Sequence, residues 1–103
     1  MLSIEEIRNS VIEAFLPFNP RRIVLFGSHA KGTADPESDV DLIIVYDTEK
    51  RFLDRLGELY TAWRLPGAVE ILAYTPTEFE DLIASRPFVR DIVASGTVLY
   101  ERS

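Results

Sequence analysis

At 103 residues, 47% of them hydrophobic and 27% charged, the chain has the make-up of one globular domain that buries roughly 60 to 70% of the surface its unfolded form exposes. It holds no cysteine and a single histidine, which excludes disulfides, thiolate metal sites, cysteine nucleophiles and a histidine cluster for zinc, and leaves oxygen-ligated metals open. A formal net charge of -6 argues against general affinity for a nucleic-acid backbone, which depends on clustered Lys and Arg; a specific nucleotide site is compatible with it.

Glu5 and Glu6 stand where a signal peptide needs positive charge, and no apolar run approaches membrane-span length, so a cytoplasmic protein with no membrane contact is expected. Ser3 and Glu6 form a capping box, and Ile4, Ile7, Val11 and Phe15 recur at helical spacing, which predicts a helix from about Ser3 to Phe15 ended by Pro17 and Pro20. Arg22 to Phe26 reads as a buried strand that stops at Gly27 and feeds a tight turn and a short helix from Ser28. After a polar loop, the run Val40 to Tyr46 has the pattern of a central strand covered on both faces. From Lys50 to Trp63 a helix is expected to bury Phe52, Leu53, Leu56, Leu59, Tyr60 and Trp63 on one face, with Pro66 and Gly67 closing it.

Val69 to Tyr74 is a further strand. Thr75, Pro76 and Glu78 supply a cap, a first-turn proline and a capping glutamate for a helix through about Ala84 that turns Phe79, Leu82 and Ile83 inward. A short helix from Phe88 to Ser95, stopped by Gly96, and an edge strand from Thr97 to Tyr100 complete the chain. Strands alternating with helices predict an α/β or α+β sheet with helices packed on it, in one domain over residues 1–103. The order of the strands is not readable from this pattern.

Asp39 and Asp41 are two apart in an extended segment, so both carboxylates point to one side. At an effective dielectric of about 20, unit charges ~4 Å apart repel by roughly 4 kcal/mol, so such a pair shares a proton or binds cations. A capped turn and a solvated strand end would also produce Asp-x-Asp, but Asp41 opens the most apolar strand, where an unpartnered carboxylate is costly. An EF-hand fails on spacing, since Ile43 and Ile44 occupy positions that need oxygen ligands and glycine. Magnesium suits a site of few carboxylates because it takes its remaining oxygens from water and phosphate.

Gly27 and Gly32 have the spacing of a Walker A loop, yet Thr33 and Ala34 follow where that loop requires Lys and Ser or Thr, and Lys31 comes too early. A weaker claim survives: Gly27 lets a phosphate approach the backbone, and the N–H groups and hydroxyl from Ser28 onward can receive its charge. Alone, Gly27 and Ser28 are as well explained by a strand-to-helix turn with a serine cap. Glu70, the only acid in the run Val69 to Tyr74, is the candidate third carboxylate, provided its strand neighbours that of Asp41; otherwise it is an exposed strand-end acid. His29 and Lys31 read as exposed, solvated basic residues, and Trp63, Phe88 and Val89 as either core or a partner surface.

The series Gly27-Ser28-x-Ala30-x-Gly32, then Ser38-Asp39-x-Asp41-Leu42, then an acid on a later strand, resembles the nucleotidyltransferase superfamily that includes DNA polymerase beta, and in particular its minimal, antitoxin-type members. The resemblance spans nearly the whole chain and implies a mixed β-sheet flanked by helices. It implies that Gly27 and Ser28, with the neighbouring Ser38, bind the nucleotide, that Asp39 and Asp41 hold magnesium, with two ions expected, and that Glu70 assists the catalytic metal or the attacking hydroxyl. The third acid of the family is commonly aspartate, and the glutamate here is longer by one methylene. No added domain of the kind with which larger relatives bind their acceptors is expected, so the resemblance implies a hetero-oligomer: AMP from ATP passes to a tyrosine of a HEPN-type toxin partner, whose RNase activity is silenced.

Two other functions fit the same residues. An antitoxin could neutralise its partner by binding alone, with weak or no catalysis, and a nucleotide-binding module could sense ATP without transferring any part of it.

Overall fold

The computed structural model describes residues 2–102. Helix α1 (Ile4–Phe15) starts at the predicted capping box: Glu6 N–H donates to Ser3 Oγ at 3.0 Å and Ser3 N–H to Glu6 Oε1 at 3.0 Å. A single 3-10 turn, Leu16–Phe18, leads to strand β1 (Arg22–Phe26), which runs into the short helix α2 (Gly27–Lys31). Strand β2 (Val40–Val45), helix α3 (Phe52–Ala62) and strand β3 (Val69–Tyr74) follow. Helix α4 (Pro76–Ser85) begins at the second capping box, Thr75 with Glu78, and helix α5 (Pro87–Ser95) and strand β4 (Thr97–Glu101) close the chain.

The four strands form one mixed sheet in the order β3-β2-β1-β4. β1 is antiparallel to β2 and β4, whereas β2 and β3 are parallel, which requires the crossover that α3 provides. β2 is therefore interior, as its apolar run demands, and Leu42 to Tyr46 are all buried.

Alternation along the strands sends side chains to two helical layers. Ile23, Leu25, Leu42, Ile44, Ile71 and Ala73 pack with Ile7, Val11 and Phe15 of α1 and Leu59 of α3, and the opposite face, with Val24, Ile43 and Val45, packs under Phe79, Ile83, Ile92 and Val93 of α4 and α5. Burying a Leu, Ile, Val or Phe side chain contributes about 1.5–3 kcal/mol, so these two layers hold the sheet.

One expectation is corrected. Of the six apolar residues assigned to a buried face of α3, only Leu59 is fully buried; Leu53 is 79% exposed, Phe52 40% and Tyr60 41%. The cause is where α3 sits: it packs against β3, the sheet's edge strand, and presents polar groups to it. Ile71 N–H donates to Tyr60 Oη at 3.1 Å, and buried Arg55 reaches Ala73 O through Nη1 at 3.3 Å. Both backbone groups lie on the free side of β3, so α3 blocks pairing at that edge.

Candidate active site

The sheet's registers bring the candidate residues into one row. Phe26, the last residue of β1, is opposite Asp41 of β2, and Asp41 is opposite Glu70 of β3. Gly27 follows Phe26 directly and opens α2, so across the sheet end the order is glycine turn, Asp41, Glu70. Asp39 precedes β2 by one residue and, at a spacing of two, shares the face of Asp41. Asp39 and Glu70 are exposed, and Asp41, Gly27, Ser28 and Ser38 are half-buried.

Gly27 is fixed by its surroundings. Its φ is +73°, and a Cβ placed there would lie 2.2 Å from Asp41 Oδ2. Glycine is needed twice over: the left-handed conformation disfavours side chains, and the space a side chain would take is filled by the Asp41 carboxylate.

That carboxylate is electrostatically stressed. Burial, then the neighbouring Glu70, then Asp39 push the Asp41 carboxyl up to about 6 from 3.8, while His29 pulls it down. Desolvation and like charge both disfavour the anion, and a bound cation relieves both. Among the described residues no three His, Asp or Glu side chains are gathered into a ready metal cage. The donors of the pair Asp41–Glu70, with Asp39 beside them, are all carboxylate oxygens, the hard ligands magnesium takes in small number, so the residues fit that ion.

Ser38 is engaged within its own turn: Asp35 N–H donates to Ser38 Oγ at 2.9 Å, Ser38 Oγ lies 3.3 Å from Asp35 Oδ1, and Ser38 N–H donates to Asp35 O at 3.0 Å. In the free protein its hydroxyl shapes the loop that delivers Asp39. His29, expected in solvent, is instead 8% exposed, with Nε2 3.3 Å from Ser38 O. It is the third residue of α2, where the helix faces the 35–38 loop, and so ties the glycine turn to the segment carrying Asp39. A lone histidine carries no sequence signal for such a link. Lys31 is exposed, as expected.

A mixed sheet that ends in a glycine-opened helix beside a carboxylate row is the arrangement of a nucleotidyltransferase. The family model described as a nucleotidyltransferase domain matches residues 4–100, and the chain belongs to that family. Two proteins of Methanocaldococcus jannaschii resemble it in sequence. The candidate protein adenylyltransferase MJ0604 is 36% identical over 83 residues, 78% of each chain; a second, MJ0435, is 28% identical over 74 residues, 71% of this chain and 80% of its own. Among solved structures, a candidate nucleotidyltransferase from Sulfolobus solfataricus covers 96% of this chain and 80% of its own at 20% identity and a TM-score of 0.64. A toxin-antitoxin structure with AMP-PNP covers 93% of this chain and 74% of its own at 20% identity and a TM-score of 0.68. At that identity both likenesses concern the fold.

Proposed function

We propose that this nucleotidyltransferase moves AMP from ATP onto a hydroxyl of a partner protein, a tyrosine of a HEPN-type toxin, and so acts as an antitoxin. The observation that carries the reading is the packing of the Gly27 turn on Asp41 in register with Glu70, which sets a phosphate-binding turn against a carboxylate pair. The resemblance of the chain to candidate protein adenylyltransferases supports AMP as the transferred group and protein as the acceptor.

In this reaction the acceptor oxygen forms a bond to the α-phosphorus of ATP, the bond from that phosphorus to the bridging oxygen breaks, and pyrophosphate leaves with the electron pair. Gly27 and Ser28 hold the departing phosphates: the glycine lets them approach the backbone, and the N–H groups at the start of α2 with the Ser28 hydroxyl donate to them. Asp39, Asp41 and Glu70 would hold magnesium, which neutralises phosphate charge and makes the acceptor hydroxyl more acidic. Glu70, exposed at the strand end, takes the acceptor's proton and passes it to water. His29 and Ser38 keep the Asp39 loop in place against α2.

The test uses ATP labelled on either the α or the γ phosphate, magnesium, and the neighbouring gene's product co-purified with this chain. The α label is expected on the partner and the γ label is not; γ label on the partner, or neither label, contradicts the proposal. A second reading, neutralisation by binding alone, draws on the exposure of Asp39 and Glu70 and on the longer third acid. It predicts that Asp41→Asn still protects cells from the partner as well as the wild type does, whereas the transferase reading predicts that protection is lost.

A further inference from the structure

Below the carboxylate row, on the same face of the sheet, lies an apolar groove of about 290 Å³. Its floor is Ile43 and Leu72, each two residues along its strand from Asp41 and Glu70. Its wall is Ile92 and Val89 of α5, and Arg86 and Phe88 stand where α4 turns into α5. Phe88 is 74% exposed, an apolar ring left in solvent. Among the described residues Arg86 has no ion-pair partner. Neither residue is used by the phosphate or metal roles assigned above.

We propose that this groove is the acceptor subsite and that it takes a hydroxylated aromatic side chain presented by the partner, with Phe88 and Arg86 setting the preference for an aromatic ring. The proposal rests on the transferase reading of Asp41 and Glu70. Its first support is direction. An in-line displacement puts the attacking oxygen opposite the leaving pyrophosphate; the phosphate donors are on the β1 side, at Gly27 and Ser28, so the acceptor comes from the β3 side, where the groove floor reaches Leu72, two residues along the strand from Glu70. Its second support is chemistry. Apolar walls pack a ring, the Phe88 ring meets it edge or face, and an unpaired guanidinium stacks over an aromatic face. A serine side chain is too short to cover Leu72 and Val89. The acceptor's O–H proton leaves to Glu70 as its oxygen bonds to the α-phosphorus and pyrophosphate departs, and a phenol, with a pKa of about 10, gives up that proton more readily than an aliphatic alcohol.

The nucleobase is the competing occupant, and the experiment separates the two. N-acetyl-L-tyrosinamide is titrated into protein holding magnesium and a non-hydrolysable ATP analogue, and amide chemical shifts are followed by NMR. The shifts are expected at Leu72, Phe88 and Val89, with N-acetyl-L-serinamide producing none there. With ATP, Val89→Arg and the exposed-site variant Phe88→Ser should each lower nucleotidylation of the tyrosine probe by about tenfold or more, while ATP affinity by calorimetry stays within about twofold. Undiminished transfer in both variants, or no tyrosinamide shifts in the groove, overturns the subsite and leaves the transferase standing. A loss of ATP affinity of about tenfold in the variants assigns the groove to the base and also overturns it. Groove shifts without any transfer by the wild type contradict the transferase reading instead.

Discussion

The contact between Gly27 and Asp41 joins a backbone requirement to a charge requirement, and each makes a separate prediction. In Gly27→Ala the new methyl meets Asp41 Oδ2 in a left-handed conformation, so a loss of about 1–3 kcal/mol is expected from urea unfolding, together with weakened ATP binding. Asp41→Asn is expected to do the opposite to stability. An acid whose folded pKa is raised, here to about 6 from 3.8, is less stable ionised in the folded state, so its charge costs stability in full above about pH 6. That cost fades as pH falls toward the ordinary value. Without magnesium, Asp41→Asn should therefore unfold at higher urea than the wild type near neutral pH, with the advantage vanishing below about pH 4; a variant less stable than the wild type at neutral pH would contradict the stressed-carboxylate account. The glycine, the serine and both aspartates were legible in the sequence because their spacing is local. That the carboxylate occupies the glycine's missing side-chain volume, and that His29 is buried against Ser38, were not, because both contacts cross between separate segments.

At the scale of elements, capping chemistry proved the most readable signal: Ser3 with Glu6 and Thr75 with Glu78 start α1 and α4 where the sequence predicts. Glu78 has a second partner that the sequence does not disclose. Arg55 of α3 gives Glu78 two hydrogen bonds, Nη1 to Oε1 at 2.6 Å and Nη2 to Oε2 at 3.2 Å, while its Nε donates to Lys50 O at 2.8 Å. The guanidinium thus links α3, β3 and the start of α4, and periodicity missed it because a buried arginine breaks the apolar pattern used to find a buried face. Arg55→Ala leaves Ala73 O and Lys50 O without this donor and opens the β3 edge, so a loss of about 1–3 kcal/mol in urea unfolding is expected. The Arg55 guanidinium and then the Thr75 backbone N–H hold the Glu78 carboxyl below its usual 4.5. A depressed carboxylate contributes stability that is present above the ordinary value and is lost as pH falls through the folded one. Glu78→Gln should accordingly lower the urea midpoint near neutral pH and show a shallower loss of stability below about pH 4.5 than the wild type; a parallel pH profile would mean that the pair is idle.

For the whole molecule, the division of labour follows from the strand order β3-β2-β1-β4. Two helical layers bury the sheet's faces, no helix among the described residues is long and apolar enough to cross a membrane, and the chemistry-bearing residues collect at the one end where β1 stops and β2 and β3 begin. Segment types were readable because each strand is an apolar run stopped by glycine, proline or acid. The order was not, since a helix between two strands does not say which strands it leaves as neighbours, and on the β2–β3 pairing depends whether Glu70 meets Asp41 at all. The central claim is that this row transfers a nucleotide, and intact-mass analysis of the co-expressed partner after incubation with ATP and magnesium tests it most directly. The wild type is expected to add the mass of one or more adenylyl groups to the partner, and Asp41→Asn, folded and at least as stable, is expected to add none. An unmodified partner with the wild type, or an equally modified partner with Asp41→Asn, would contradict the account.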